Sequence, residues 1–241
     1  MAAFVRVIKN KWLTPPKPVT ADYAGRTVIV TGASSGIGEQ AAYQFAALGA
    51  PKVIMTARDL KKGEATKMAL ETRLHRTGQL EVWELDMMDY GSIRSFAKRA
   101  NELDQLDIVV LNAGTRRATY IQSSYGWEED LQVNTLSTTL LALLLLPALK
   151  ETKKLTGRTP VLEFVNSGLY QNAVVPPEVR QDGGVLAHYN KKEHFREGNQ
   201  YKFSKVFLMY VTRALAEATS SEHVIITSIC PGQSHSSPNS W

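Results

Sequence analysis

Tyr201 and Lys205, in the string YKFSK, stand four residues apart. That is about one turn of an α-helix, so a phenol and an ammonium can share one face. A phenol ordinarily keeps its proton up to a pH of about 10. A positive charge beside it favours the phenolate and makes the proton easier to move. Such a pair could serve as a general acid, handing a proton to an oxygen that is gaining charge. Alone, the spacing fits any helix face and decides nothing, so its meaning depends on the elements that carry it.

Those elements alternate. Apolar, β-branched runs are separated by segments of helical period: TVIVTG, a helix around 37–48, KVIMTA, a helix around 61–76, EVWELD, and a helix around 92–100. LDIVVLNAG, a helix over 127–150, PVLEFVNS, a helix over 199–218 and HVIITSIC complete the series. Six strands and five helices in this order predict an α/β, Rossmann-type, doubly wound parallel sheet with helices on both faces. Tyr201 and Lys205 then lie on the helix after the fifth strand. Residues 168–198 contain Pro-Pro and Gly-Gly and little periodicity, which predicts a long loop with at most a short helix, and loops of that length tend to be functional.

The first strand runs directly into VIVTGASSGIG. Gly32 allows a tight turn, Gly36 and Gly38 let the backbone and the next helix approach closely, and the helix N-terminus offers unpaired N–H groups to a pyrophosphate. Thr31, Ser34, Ser35 and Ile37 complete this candidate dinucleotide loop.

The spacing T-G-x-x-x-G-x-G resembles that of the short-chain dehydrogenase/reductase family, and the resemblance extends from about residue 25 to about residue 236. It implies that Tyr201 is the general acid in reduction and that Lys205 tunes it and holds the nicotinamide ribose. Ser167, at the end of EFVNSG, takes the family's catalytic serine position and would bond the developing oxyanion. Asn134 in LQVNTLST matches the helix asparagine that supports a proton relay. Asn112, Ala113 and Gly114 resemble the motif that approaches the cofactor at the fourth strand, and Asp86 resembles the aspartate beside the adenine ring. Pro231 and Gly232 match the segment that folds over the nicotinamide, with Ser236 in place of its threonine. Three departures stand out: Leu111 replaces a second asparagine, Asn166 replaces a first serine, and Ala57 occupies the position where NAD-preferring members carry aspartate. Arg58 follows Ala57 and could fork onto a 2′-phosphate, which favours NADP(H) over NAD(H). A one-residue slip would instead set Asp59 on the ribose.

Composition bounds the rest. A chain of 241 residues with 44% hydrophobic content can bury one large core, expected over 25–241 with an N-terminal arm over 1–24. The net charge of +5 suits an anionic ligand. No basic stripe interleaved with aromatics and no zinc-finger string points to nucleic acid. The histidines lack metal-ligand spacing. Cys230 is the single cysteine, and residues 1–18 are broken by Arg6, Lys9 and Lys11, so the expected location is cytoplasmic. Leu140 to Leu149 is about half of what a bilayer requires, so no transmembrane segment is expected. A helix so apolar needs cover on nearly every side, which suggests a homodimer or tetramer.

The family normally continues beyond the sixth strand with a seventh strand and substrate-covering helices, for which no counterpart is recognisable here. The length of 168–198 and the LALLLLPAL helix resemble retinol-dehydrogenase-like members, fungal natural-product enzymes among them. The expectation is an NADP(H)-dependent oxidoreductase interconverting a carbonyl and a secondary alcohol on a small, apolar molecule, with the resemblance suggesting secondary-metabolite biosynthesis. The alternative is a shortened scaffold that binds cofactor without turnover.

Overall fold

The computed structural model describes residues 19–180 and 184–232. Ser236 and most of the expected N-terminal arm lie outside the described residues. Six strands form one parallel sheet: β1 (Thr27–Val30), β2 (Lys52–Ala57), β3 (Leu80–Glu84), β4 (Ile108–Leu111), β5 (Val161–Val165) and β6 (Ile225–Ile229). Their order is β3-β2-β1-β4-β5-β6, so the chain reverses direction across the sheet between β1 and β4. That reversal leaves a crevice at the carboxyl ends of those two strands.

Strand period two accounts for the layers. Val28, Val30, Val53, Met55, Ile108 and Val110 face one side and pack against α1 (Gly36–Ala47) and α2 (Leu60–Leu74). Ile29, Ile54, Val109, Leu111, Leu162 and Phe164 face the other. There they meet α3 (Tyr90–Asn101) and α5 (Thr138–Thr156). Both faces are apolar because helices cover both. Asp59 and Asp89 start α2 and α3 by accepting backbone N–H groups of the first turn, which satisfies donors that a helix leaves unpaired.

The helix expected over 127–150 is longer and is not uniform. It begins as α4 (Glu129–Leu131), passes through a π-helical turn (Gln132–Ser137), and continues as α5 to Thr156. The 28 residues Glu129–Thr156 are therefore long and apolar enough, by length and composition, to cross a membrane, which the apolar run alone did not suggest. In the fold, Leu141, Ala142, Leu145 and Leu149 are fully buried against the sheet and α3. Sheet and neighbouring helix supply most of the cover expected from a second subunit, and Leu143 and Leu155 remain exposed.

The described residues within 168–198 include the short helix expected there and, beyond that, several single turns. They hold 3₁₀ turns at Gly168–Asn172, Pro177–Arg180 and Lys192–His194 and a short helix α6 (Val185–Tyr189). α7 (Asn199–Ala218) follows. Tyr189 stacks on Phe203 of α7, ring centroids 3.9 Å apart. Among the described residues β6 is paired on one side only, by β5.

Leu145 has no exposed surface, and its truncation would leave a cavity between α5 and the sheet. Leu145→Ala should lower unfolding stability by ~2–5 kcal/mol, read as a lower midpoint in urea titration.

Candidate active site

A cavity of about 560 Å³ opens at the carboxyl ends of the central strands, and its wall includes Ile37, Asn112, Gly114, Ser167, Tyr201 and Lys205. The left half is built by the first turn after β1. The Thr31 hydroxyl accepts the N–H groups of Asn112 and Ala113, each at 2.9 Å, which ties the end of β1 to the end of β4. The Asn112 amide donates to the carbonyls of Thr31 and Gly32 at 2.9 and 3.3 Å. Gly32 and Gly36 have φ of +63° and +62°, a region where a side chain is strained. At Gly38 the reason is space, since a Cβ there would lie 2.5 Å from both the Gly32 carbonyl oxygen and Asn112 Nδ2.

Ser35 is the N-cap of α1, yet its hydroxyl makes no capping bond and stays available to a ligand. The Ser34 carbonyl accepts the Thr66 hydroxyl. The first turn of α1 thus offers backbone N–H groups and a free hydroxyl in a cradle too tight for a Cβ, which fits a dinucleotide pyrophosphate.

At the end of β2, Arg58 is exposed. The carboxylate of Asp59 is occupied as the cap of α2, accepting Lys61 and Lys62 N–H. Asp86, beyond β3, accepts the Met88 N–H at 2.8 Å. Its own N–H goes to Ser92. Pro231 and Gly232 line the cavity after β6.

The right half is a cluster around α7. The Lys205 ammonium donates to the Val165 carbonyl at the end of β5, at 3.0 Å, and lies 5.8 Å from the Tyr201 ring centroid. Burial lowers its pKa to about 8, against the pull of Asp130. The Tyr201 phenol moves the other way: burial raises it, opposed by a hydrogen bond from Ser167 and by the charge of Arg116. A Cβ on Gly114 would sit 3.0 Å from Asn134 Oδ1 and 3.7 Å from Lys205 Nζ, so the glycine lets β4 come up against the cluster. Asn134 is buried in the π-helical turn. It accepts the Thr115 N–H at 2.8 Å and donates to the Thr115 carbonyl and the Ser204 hydroxyl at 2.8 and 2.9 Å. Its side chain fastens the β4 loop to α7. Turns of this kind are common at functional sites because the extra residue redirects groups within a helix.

Two buried acids were not read from sequence, and neither was the unsatisfied burial of Asn166, which the sequence shows only as standing in place of a serine. Asp130 is fully buried, accepts the Thr115 hydroxyl and the Arg117 N–H, and has a pKa raised to about 7, by burial first and the charge of Glu128 second. Glu128 is itself buried, caps α4 through the Leu131 N–H and accepts Gln200 Nε2 at 2.7 Å. Asn166 is buried with its Oδ1 accepting Ser167 N–H, while its Nδ2 has no partner among the described residues. The acids Glu128, Glu129 and Asp130 just ahead of Asn134 were the available signal. His188 and His194 stack on each other, away from the cavity wall, and no metal-binding group of side chains occurs among the described residues.

Comparison with known proteins agrees with this architecture. A family model described as short chain dehydrogenase matches residues 26–158. The chain is 38% identical over 225 residues to the short-chain dehydrogenase/reductase ffsI of Aspergillus flavipes, covering 92% of this chain and 66% of that protein. It is 34% identical to the short chain dehydrogenase sol3 of Alternaria solani, covering 95% of this chain and 78% of the relative. Among solved structures, an active-site complex of Pseudomonas aeruginosa RhlG with NADP superposes with a TM-score of 0.69 at 27% identity, covering 90% of this chain and 75% of that one.

Two consequences are measurable. Gly38→Ala forces backbone and Asn112 apart and should destabilise the fold by about 1–3 kcal/mol, visible as a lower urea midpoint. The second concerns pH. A carboxyl whose pKa rises on folding keeps a proton that the unfolded chain has released, so its contribution to stability falls as pH climbs from about 4 to about 7 and is level above that. Asp130→Asn removes this dependence. Across that window the variant should gain on the native chain by on the order of 1 kcal/mol per pH unit, in urea titrations at about pH 5 and about pH 7.

Proposed function

The chain belongs to the short-chain dehydrogenase/reductase family of oxidoreductases, and from that premise we propose that it interconverts a carbonyl and a secondary alcohol on a small molecule with NADP(H). The observation that carries this reading is the shared cavity wall: Ser167, Tyr201 and Lys205 face the same space as Ile37, Asn112 and Gly114 at the strand ends. A bound nicotinamide would supply or accept the hydride.

In the direction of reduction, the Tyr201 phenol gives its proton to the carbonyl oxygen. A phenol keeps its proton at neutral pH, and burial raises its pKa further. The Ser167 hydroxyl bonds the oxygen as charge develops on it. Lys205, anchored by the Val165 carbonyl, holds a cofactor ribose. Asn134 keeps the Thr115 loop and α7 in register. Thr31, Gly32, Ser34, Ser35, Gly36 and Gly38 take the pyrophosphate, Asp86 the adenine, and Asn112, Ala113, Gly114, Pro231 and Gly232 the nicotinamide half.

Two observations favour the phosphorylated cofactor. Arg58 makes no ion pair among the described residues, and Asp59 already spends its carboxylate on the α2 cap. The RhlG structure named above is an NADP complex. The lone cysteine fits a cytoplasmic setting. The resemblance to natural-product enzymes in residues 168–198 supports a secondary-metabolite substrate.

The test is turnover of a panel of ketones and quinones with NADPH, read at the nicotinamide absorbance. Tyr201→Phe should lose ~10²–10⁴-fold in kcat while NADPH binding, measured by calorimetry, is unchanged. Tight NADPH binding with no Tyr201-dependent turnover of any carbonyl would instead identify a cofactor-binding scaffold.

A further inference from the structure

Two arginines follow each other after the β4 loop, and they do different things. Arg117 pairs through Nε with Glu129 and gives its backbone N–H to Asp130, so its charge is balanced within the fold. Arg116 makes no hydrogen bond or ion pair among the described residues. It forms part of the cavity wall, and its guanidinium carbon lies 5.8 Å from the Tyr201 ring centroid. Gly198, just ahead of α7, lies beside it, and a Cβ built there would be in ordinary van der Waals contact with Arg116 Nη2 at 3.7 Å.

The rest of the wall sharpens the point. Among the described residues its charged members are Arg116 and Lys205, and none of the described residues contributes a carboxylate to it. Lys205 is buried and committed to the Val165 carbonyl. Arg116 is exposed and presents its five donors, a fork suited to a planar anion, beside the proposed proton donor. An arginine on an open surface is satisfied by water. One held at the lip of a reaction cavity, next to the group that acts on the substrate, selects among substrates by their charge.

We propose that Arg116 is a specificity residue that binds a carboxylate, or an enolate of equal charge, a few atoms from the reacting carbonyl, so that the substrates are keto acids or the corresponding hydroxy acids. This departs from a wholly apolar substrate and rests on the reading of the cavity as a site of carbonyl–alcohol chemistry. The apolar part of such a molecule meets Leu169 and Val165, while the anion stays at the wetter lip.

The probes are levulinate and its methyl ester, which share a ketone and differ in charge. With NADPH, the native protein should favour the acid over the ester in kcat/KM by roughly 10-fold or more. Arg116→Gln should cut the acid-over-ester preference in kcat/KM roughly 10-fold, beyond any loss common to both probes from withdrawing its charge from the Tyr201 phenol, and Arg116→Lys should restore part of the preference. The same pair is titrated by calorimetry into protein saturated with NADP⁺, where tighter binding of the acid, lost in Arg116→Gln, supports the proposal without any turnover. Equal handling of acid and ester, an equal loss on both in Arg116→Gln, or no measurable binding of the acid overturns it. Acid-selective binding without reduction of either probe would leave Arg116 as the anion site while counting against the oxidoreductase reading.

Discussion

The ammonium of Lys205, buried at the end of β5 with one carbonyl to receive it, is the constraint around which the site is arranged. Removing a charge from water is expensive unless hydrogen bonds and nearby opposite charge offset the cost. The fold supplies both: the Val165 carbonyl directly, and Asp130 as an opposite charge that raises the lysine's pKa. For that, α7 must pack on the sheet at one register, the loop after β4 must carry a glycine at 114 that does not crowd Asn134 Oδ1, and the helix ahead of α5 must carry Asp130 and Asn134 inward on neighbouring turns. The π-helical turn meets the last requirement.

The opposite half of the cavity depends on closeness of backbones. Thr31, Gly32, Gly38 and Asn112 draw the first loop onto the end of β4 with hydrogen bonds of 2.9–3.3 Å. The gap between β1 and β4, which every sheet of this order contains, becomes a narrow seat beneath the first turn of α1. The candidate reacting groups come from β5 and α7, the candidate phosphate-binding groups from β1 and α1, and the parallel direction of the strands delivers all of them to one edge.

How much of this was visible in the chain follows from how local each signal is. The glycine loop, the strand and helix alternation and the Tyr201–Lys205 spacing are short-range patterns, and the structure contains the corresponding elements. Ser167, Tyr201, Lys205, Asn112 and Gly114 do come to one cavity. The π-helical turn was not legible, because its extra residue leaves the apolar period of 127–150 nearly unchanged. Asp130 looked like an ordinary first-turn acid, and only the fold shows that Thr115, Arg117 and Glu128 enclose it. Arg116 and Arg117 are indistinguishable as letters, and the difference arises from Glu129 standing within reach of one and not the other. Residues 168–198 read as a loop since their turns are set by long-range contacts, such as Tyr120 with the Asn190 carbonyl, rather than by periodicity.

The stacking of Tyr189 on Phe203 is joined by Gln200, whose amide donates to the Tyr189 carbonyl at 2.9 Å and to Glu128. α6 is thereby riveted to α7 two residues from Tyr201, and both are riveted to α4. The first turn of α7 is thus clamped from two sides, and the direction in which the phenol points is inherited from packing that lies outside the cavity wall.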